Sequence, residues 1–455
     1  MGYTAVVTTG IYCRPGCPAT PLRRNTVAYR SAAAAEADGF RACLRCRPDR
    51  EPESTWIDAP ELVCRALRLI VDGALDGATE DDLAARLGIS GRHLRRLFDA
   101  HVGATPSEVA RSRRAHFARR LLDDTDLPMT QLARAAGFSS VRQLNRVVQQ
   151  VFRATPSELR AKRRDPRRSA VDGGLELRLP YRPPLAWDAL CAFLAPRAIP
   201  GVESVDLASA TYRRVVDVDG HPGVIEVSAP SGASHVVLRA HLPSFDGLVH
   251  LVAQVRRQFD LDADPRVVDA HLARDPLLRP LVRARPGMRV PGGASALEIG
   301  VRAILGQQVS VPAATRLAGR LVERYGRAVG GLEALGLSHQ FPTAERLADA
   351  PLDDVGLTTP RADAVRAFAA AAVPFDGSQD LARLVAALRS LPGIGEWTAQ
   401  YVAMRAGGER DAFPAADLGL RRALGGPSAR EVLARAEPWR PWRAYAAMHL
   451  WAAAA

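Results

Sequence analysis

The 455-residue sequence predicts a multidomain chain: a small four-cysteine α+β domain, an all-α tandem helix-turn-helix domain, and an α+β domain followed by an all-α helix-hairpin-helix domain. Three observations predict it. Four of the six cysteines fall in two short-spaced pairs near the N-terminus, a helix-turn-helix pattern occurs twice after them, and a Pro-Gly-Ile-Gly corner separates two helical periods near the C-terminus. A chain of this length accommodates roughly two to four domains, and 47% hydrophobic residues suffice for a core in each.

The net charge of +12 and the sequence pI near 10.1 suit a polyanionic partner, although an Arg- and Ala-rich genome would give a similar bias. Lys162 is the only lysine, so nearly all 61 basic residues are arginines, which grip phosphate through a planar fork. No apolar run approaches the ~20 residues of a membrane span. The N-terminus lacks a basic region followed by an apolar stretch and a cleavage site. A cytoplasmic, nucleoid-associated protein is expected.

Cys13, Cys17, Cys43 and Cys46 read C-x3-C, 25 residues, C-x2-C, whereas Cys64 and Cys191 stand alone. Paired thiols at such spacings in an intracellular chain favour tetrahedral zinc over disulfides. A domain of about 50 residues with few large apolar side chains also needs such a staple. A zinc ribbon that only holds shape is the competing role. The flanking residues Thr8-Thr9-Gly10-Ile11-Tyr12-Cys13-Arg14-Pro15-Gly16-Cys17 and Gly39-Phe40-Arg41-Ala42-Cys43-Leu44-Arg45-Cys46 resemble the N-terminal domain of Ada-type adaptive-response regulators. The resemblance implies one zinc, structural and nucleophile-activating, on these four cysteines. It also implies transfer of a methyl group from a DNA methylphosphotriester to Cys13. Thiolate is the nucleophilic form of cysteine, and zinc maintains it at neutral pH. Four thiolates around Zn²⁺ carry a formal double negative charge that methylation halves, so transfer is expected to strengthen DNA binding. Only a dozen residues precede Cys13, where the family has another helix and strand, and weaker folding and DNA contact are expected from that.

Pro52 to Pro60 reads as a turn-rich connector. Thr79-Glu80-Asp81-Asp82 caps a helix carrying Leu83 and Leu87, Gly88-Ile89-Ser90 turns the chain, and Gly91 to Phe98 gives a second, basic helix. Met129 to Ser140 and Val141 to Arg146 repeat the pattern, and each copy ends in Ala-Thr-Pro-Ser-Glu, at Ala104 to Glu108 and Ala154 to Glu158. Joined by a long helix expected over Val109 to Leu122, the two units resemble the AraC-type DNA-binding domain. Each second helix would then enter a major groove, with Arg92, Arg95, Arg96, Arg142, Gln143 and Asn145 as candidates to read bases. Phosphate contact or solvent is the competing role of each arginine.

Arg160 to Arg168 reads RAKRRDPRR, and a basic linker is expected over 164–174. Strand patterns return at Leu175 to Leu179 and Gly223 to Val227, with helices at Trp187 to Leu194 and Leu248 to Phe259. Leu381, Leu384, Val385 and Leu388 follow helical spacing, Pro392-Gly393-Ile394-Gly395 forbids further helix, and an apolar period resumes at Trp397, Tyr401 and Met404. Amide N–H groups at the start of that second helix suit a phosphate. Asp417 enters another helix, where N-capping is its competing role.

LPGIGEWTA with an aspartate 22 positions after Gly395, the segment Ala303 to Ser310 (AILGQQVS), and Trp439 to Ala446 with His449-Leu450-Trp451 resemble the AlkA-type 3-methyladenine glycosylases. The resemblance covers roughly 175 to 455. Such an enzyme must flip its target base into a pocket. Alkylation at N3 or N7 makes a purine cationic, which favours electron-rich aromatic walls. The family implies Trp397, Tyr401 and Trp451 as those walls, with Phe193 from the mixed domain, for which core packing competes. It implies Asp417 as the carboxylate that stabilises positive charge developing on the sugar. It further implies DNA contact at Gly393, Gly395 and Thr398, with a monovalent cation at the hairpin. Gln308 stands where the family has an apolar leucine that wedges into the gap left by the flipped base, and altered duplex binding is expected.

Lyase chemistry needs an amine, and bifunctional relatives place a lysine just after the hairpin. Trp397 holds that position here, and the only lysine lies far away at Lys162, so a monofunctional enzyme is expected. No Pro-Cys-His-Arg acceptor motif occurs, so repair of O6-methylguanine is not predicted. The expected domains are 1–52, 58–163, 175–286 and 287–455. The expected function is DNA alkylation repair with adaptive-response regulation: a DNA-3-methyladenine glycosylase II type hydrolase joined to a methylphosphotriester-DNA cysteine methyltransferase. Double-stranded DNA, a promoter sequence and RNA polymerase are the expected partners of a monomer that does not bind membranes. The alternative is a damage-sensing transcriptional regulator whose glycosylase module is inactive, and Asp417 separates the two.

Overall fold

The computed structural model describes residues 2–19, 21–48, 59–162, 174–371, 373, 375 and 378–454. The connector at 52–60 and the linker at 164–174 fall almost wholly outside them. No helix among the described residues is long and apolar enough to cross a membrane. The chain forms two compact units, residues 1–180 with 244–254 and 376–378, and residues 181–243, 255–375 and 379–455.

In the first unit, β1 (Tyr3–Val6), β2 (Ile11–Cys13), β3 (Thr26–Tyr29) and β4 (Arg41–Ala42) form a sheet of order β3-β1-β2-β4, with α1 (Ala32–Ala37) between β3 and β4 in sequence. The few residues ahead of Cys13 thus supply a central strand, antiparallel to both neighbours. Helices α2 (Glu61–Val71), α3 (Glu80–Arg86), α4 (Gly91–His101), α5 (Pro106–Asp124), α6 (Met129–Ala135), α7 (Val141–Phe152) and α8 (Pro156–Ala161) follow. The repeated Ala-Thr-Pro-Ser-Glu explains two of their starts. Thr105 and Thr155 each accept from the amide of the glutamate three residues on, whose carboxylate accepts from the threonine amide in return. Proline fills the first helical position, where no N–H is needed. Because this capping box starts α5 early and Thr125 ends it late, α5 exceeds the expected Val109 to Leu122 at both ends. Leu83, Leu94, Phe98 and Val102 form the core of the first repeat.

Strand β5 (Leu175–Pro180) alternates buried and half-buried residues, as the sequence pattern requires. In the second unit, α9 (Trp187–Leu194) precedes an antiparallel meander of β6 (Glu203–Asp206), β7 (Thr211–Val218), β8 (His221–Ser228) and β9 (His235–His241). After α10 (Leu248–Gln258), α11 (Pro265–Leu272) and α12 (Leu278–Ala284), the chain is predominantly helical. These helices are α13 (Ala296–Leu305), α14 (Val311–Tyr325), α15 (Ala344–Ala348), α16 (Thr359–Ala370), α17 (Leu381–Arg389), α18 (Glu396–Arg405), α19 (Leu418–Ala423), α20 (Ala429–Arg435) and α21 (Arg443–Ala454). Helix α13 packs on α16 and α18, α17 on α18, and α21 on α19. A buried ion pair, Arg214 to Glu298 at 2.9 Å, joins β7 to α13.

Candidate metal centre and active site

The parallel pairing of β2 and β4 brings the two cysteine pairs together. The Sγ atoms of Cys13, Cys17, Cys43 and Cys46 lie within 4.8 Å of one another, all four thiols are free, and only Cys17 is more than slightly exposed. This donor set fits zinc. Burial pushes the Cys46 thiol up to about 11 and the Cys13 thiol higher still, whereas at Cys43 burial is outweighed by the backbone N–H groups of Cys46 and Arg45, which hold it below its ordinary value, so thiolates at Cys13 and Cys46 need a cation beside them. Tyr12, next to Cys13, donates from its hydroxyl to Glu36 Oε1 at 2.6 Å, and His116 Nε2 of α5 lies 2.6 Å from the same oxygen. A second tie joins Arg47 to Asp123 of α5 at 2.6 Å.

Helices α4 and α7 turn Leu94, Phe98, Leu144 and Val148 inward and expose Arg92, Arg95, Arg96, Arg142 and Asn145. Three of the six candidate readers already have local bonds, Arg96 through Nη2 to His93 Nδ1 at 3.2 Å. Arg95 Nε donates to Glu80 Oε2 at 2.8 Å, and Gln143 Oε1 accepts from the amide and hydroxyl of Ser139 at 2.9 and 3.0 Å.

The hairpin lies between α17 and α18. Gly393 has φ +74, and a Cβ there would stand 2.6 Å from Ala364 Cβ, so both backbone and packing require glycine. Gly395 is different: it N-caps α18, and a Cβ would meet nothing within 4 Å. Nothing among the described residues requires glycine there. Gln307 holds the hairpin, donating from Nε2 to Gly393 O at 2.8 Å and to Thr398 Oγ1 at 3.0 Å. The Thr398 side chain is buried against Gln307, and its amide lies in the first turn of α18. Gln308 is exposed in the left-handed region, φ 57, at the tip between α13 and α14, with exposed Val309 beside it.

Asp417 N-caps α19 and also faces the aromatic residues. Its Oδ1 accepts from the Leu420 amide at 3.0 Å and from Trp451 Nε1 at 2.8 Å, while Oδ2 accepts from Trp397 Nε1 at 2.9 Å. Trp397 stacks on Tyr401 with centroids 5.3 Å apart, Tyr401 lies 6.2 Å from Trp451, and Phe193 stacks on Trp451 at 6.0 Å. Phe193 thus joins the aromatic cluster, whereas Trp439 and Trp442 are buried packing residues. Asp417 makes no ion pair among the described residues.

Three residues escaped the sequence reading. Gln307 was passed over beside Gln308. Arg405 follows Tyr401 by one helical turn and donates to Tyr401 Oη at 2.8 Å, Pro291 O at 2.7 Å and Gly292 O at 3.0 Å. Arg197 follows Phe193 by four residues, with its guanidinium carbon 4.0 Å from the Phe193 ring centroid. An arginine inside the apolar run FLAPRAIP was the available signal. Burial alone would raise the Tyr401 phenol, but Arg405 and Arg197 outweigh it and hold it below its ordinary value.

Four family models match the chain in succession: "Metal binding domain of Ada" at 2–49, "Helix-turn-helix domain" at 83–162, "AlkA N-terminal domain" at 176–295, and "HhH-GPD superfamily base excision DNA repair protein" at 301–426. Fold, sites and matches together define a zinc-binding, DNA-binding protein that combines base-excision repair with transcription regulation. The chain belongs to the family of bifunctional transcriptional activator/DNA repair enzymes of the AlkA kind. It is 43% identical over 461 residues to the "Probable bifunctional transcriptional activator/DNA repair enzyme AlkA" of Mycobacterium tuberculosis, covering 98% of this chain and 92% of that one. DNA-3-methyladenine glycosylase 2 of Escherichia coli is 36% identical over 60% of this chain and 95% of its own. The solved 3-methyladenine DNA glycosylase of Archaeoglobus fulgidus shares the fold at TM-score 0.52 and 24% identity, covering 60% of this chain and 96% of that one.

Proposed function

We propose that the second unit flips an alkylated base against Trp397, Tyr401, Trp451 and Phe193 and hydrolyses its N-glycosidic bond with Asp417 as the catalytic carboxylate. The supporting observation is the setting of Asp417, whose oxygens are fixed by two indole N–H groups and one helix amide while no cation pairs with it. Its charge is held in place for the oxocarbenium-like sugar and needs no reorganisation when that charge appears. An alkylated purine already leaves well, so no proton donor to the base is required. The exposed Gly395 corner and the amides that open α18 bind the phosphate that follows. A monovalent cation at the hairpin would share carbonyls already engaged within the protein, such as Gly393 O.

In the first unit Cys13 is the methyl acceptor: an S–CH₃ bond forms, the CH₃–O bond breaks, and the DNA phosphodiester anion leaves. Zinc, when bound, supplies the positive charge that keeps the four sulfurs deprotonated. Arg92, Arg142 and Asn145 face the groove on α4 and α7, with Arg95, Arg96 and Gln143 sharing their local bonds. RNA polymerase as partner, a monomeric cytoplasmic state and the domain limits 1–52, 58–163, 175–286 and 287–455 belong to the same reading.

The test is release of free 3-methyladenine from N-methylated duplex DNA by the protein and by Asp417→Asn at matched salt. A loss of at least about 100-fold is expected. Undiminished release by the variant overturns the assignment and makes the regulator with an inactive module the better account.

A further inference from the structure

Three arginines surround a site proposed for cationic bases. Arg197, Arg302 and Arg405 all act electrostatically on Tyr401. Only one of these arginines is fully engaged inside the protein. All three nitrogens of Arg405 donate to Tyr401, Pro291 and Gly292, whereas Arg302 is largely buried, feels the charges of Glu203 and Glu298, and keeps Nη1 without a hydrogen-bond partner among the described residues. Arg197 is not fully engaged either. It spends one N–H on Phe193 O at 2.9 Å and makes no ion pair among the described residues, although the negative charge of Asp417 reaches it electrostatically. It stacks on a ring that is itself stacked on Trp451.

We propose that Arg197 is an electrostatic catalyst of base departure, set at the base end of the pocket as Asp417 is set at the sugar end. The proposal rests on the glycosylase reading above. When the C1′–N bond breaks, its electron pair goes to the base. A cationic alkylpurine becomes neutral, positive charge appears on the sugar ring, and water adds at C1′ with loss of a proton. A neutral purine would instead leave as an anion. In both cases the charge on the base falls by one while that on the sugar rises. A guanidinium beside the base therefore lowers the barrier whichever lesion is bound. For a cationic base the mechanism is relief of repulsion, because Arg197 disfavours the bound ground state and ceases to do so as the bond breaks. Asp417 favours the same redistribution by stabilising the positive charge on the sugar. Between them the two groups make a field along the breaking bond.

The prediction is a split that a packing role cannot produce. In single-turnover kinetics on duplex DNA carrying 7-methylguanine, Arg197→Gln should slow the saturated rate by about 10- to 100-fold. Its half-saturating protein concentration should fall or hold steady, because a repulsion has been removed. Arg197→Lys keeps the charge and should recover most of the rate. Affinity for undamaged duplex should be the same in all three proteins. Three results would overturn the proposal: an unchanged rate in Arg197→Gln, a rise in half-saturation in step with the loss of rate, or weaker binding to undamaged DNA, which would make Arg197 a phosphate contact. Circular dichroism and thermal midpoints of the variants separate misfolding from chemistry, and Arg197→Lys carries the test if the glutamine variant unfolds. Asp417→Asn run alongside tests the underlying reading separately: if it still releases base, that reading fails whatever Arg197 does.

Discussion

Asp417 has two indole donors where one would hold a carboxylate in place, and each indole is also a wall of the proposed pocket. The two duties can be separated. Trp451→Phe keeps an aromatic face toward Phe193 and Tyr401 but removes the N–H that reaches Oδ1 at 2.8 Å. A hydrogen bond to a charged group is worth roughly 1.5–3 kcal/mol. Base release should therefore slow about tenfold or more, with little change in duplex affinity; an equal loss in binding would mean that the ring's stacking matters and its N–H does not. At this scale the sequence was most informative where chemistry is local to a motif. Asp417, Trp397, Tyr401 and Trp451 stand in recognisable strings. Gln307 and Arg197 were harder to read, because their meaning lies in partners distant in the chain, as Gln307 is 86 positions from the carbonyl it holds. The burial of the Thr398 side chain was unreadable for a related reason: the residue that covers it, Gln307, is 91 positions away.

At the scale of elements, the hairpin glycines make opposite predictions. Gly393→Ala would place a methyl 2.6 Å from Ala364 Cβ at a left-handed φ, and should destabilise the second unit by roughly 1–3 kcal/mol, read as a lower urea midpoint. Gly395→Ala meets nothing inside the protein. It should leave the urea midpoint alone and weaken duplex binding, and a variant that does the reverse would relocate the DNA contact. A second element-level prediction concerns the cysteine-bearing sheet. Tyr12, Glu36 and His116 tie it to α5, the helix that joins the two helix-turn-helix repeats. Glu36→Gln should keep four-thiol zinc binding yet raise protease sensitivity in the first 48 residues, whereas loss of zinc would show that Glu36 serves the centre itself. The helices were legible because caps and apolar periods are local signals: both Ala-Thr-Pro-Ser-Glu repeats became capping boxes. This tie was not, since a glutamate in an alanine-rich helix gives no hint of a histidine 80 positions away.

For the whole molecule, the division into two compact units predicts separable losses. Chelation should abolish methyl transfer and leave base release intact, because all four cysteines lie in the first unit and Asp417 with its aromatic neighbours in the second. Acid should act on the second unit through His449. Burial, reinforced by nearby Arg285, pushes its imidazole from 6.5 down to about 4. The unfolded chain therefore binds the proton first. The stabilisation is complete above pH ~6.5 and is lost as pH falls towards ~4, by roughly 3 kcal/mol in all. Urea midpoints for base-release activity should drop across that window, and His449→Leu should flatten the drop. An unchanged pH slope in that variant would place the acid sensitivity elsewhere.

The indole grip on Asp417 also bears on inhibition. A carboxylate that cannot turn rewards a ligand for carrying charge at the right place more than for making a new hydrogen bond. Duplex DNA with a protonated pyrrolidine in place of one sugar should bind more tightly than DNA with a neutral tetrahydrofuran there. Asp417→Asn should erase the difference, which makes the pair of ligands a direct gauge of the field at the anomeric carbon.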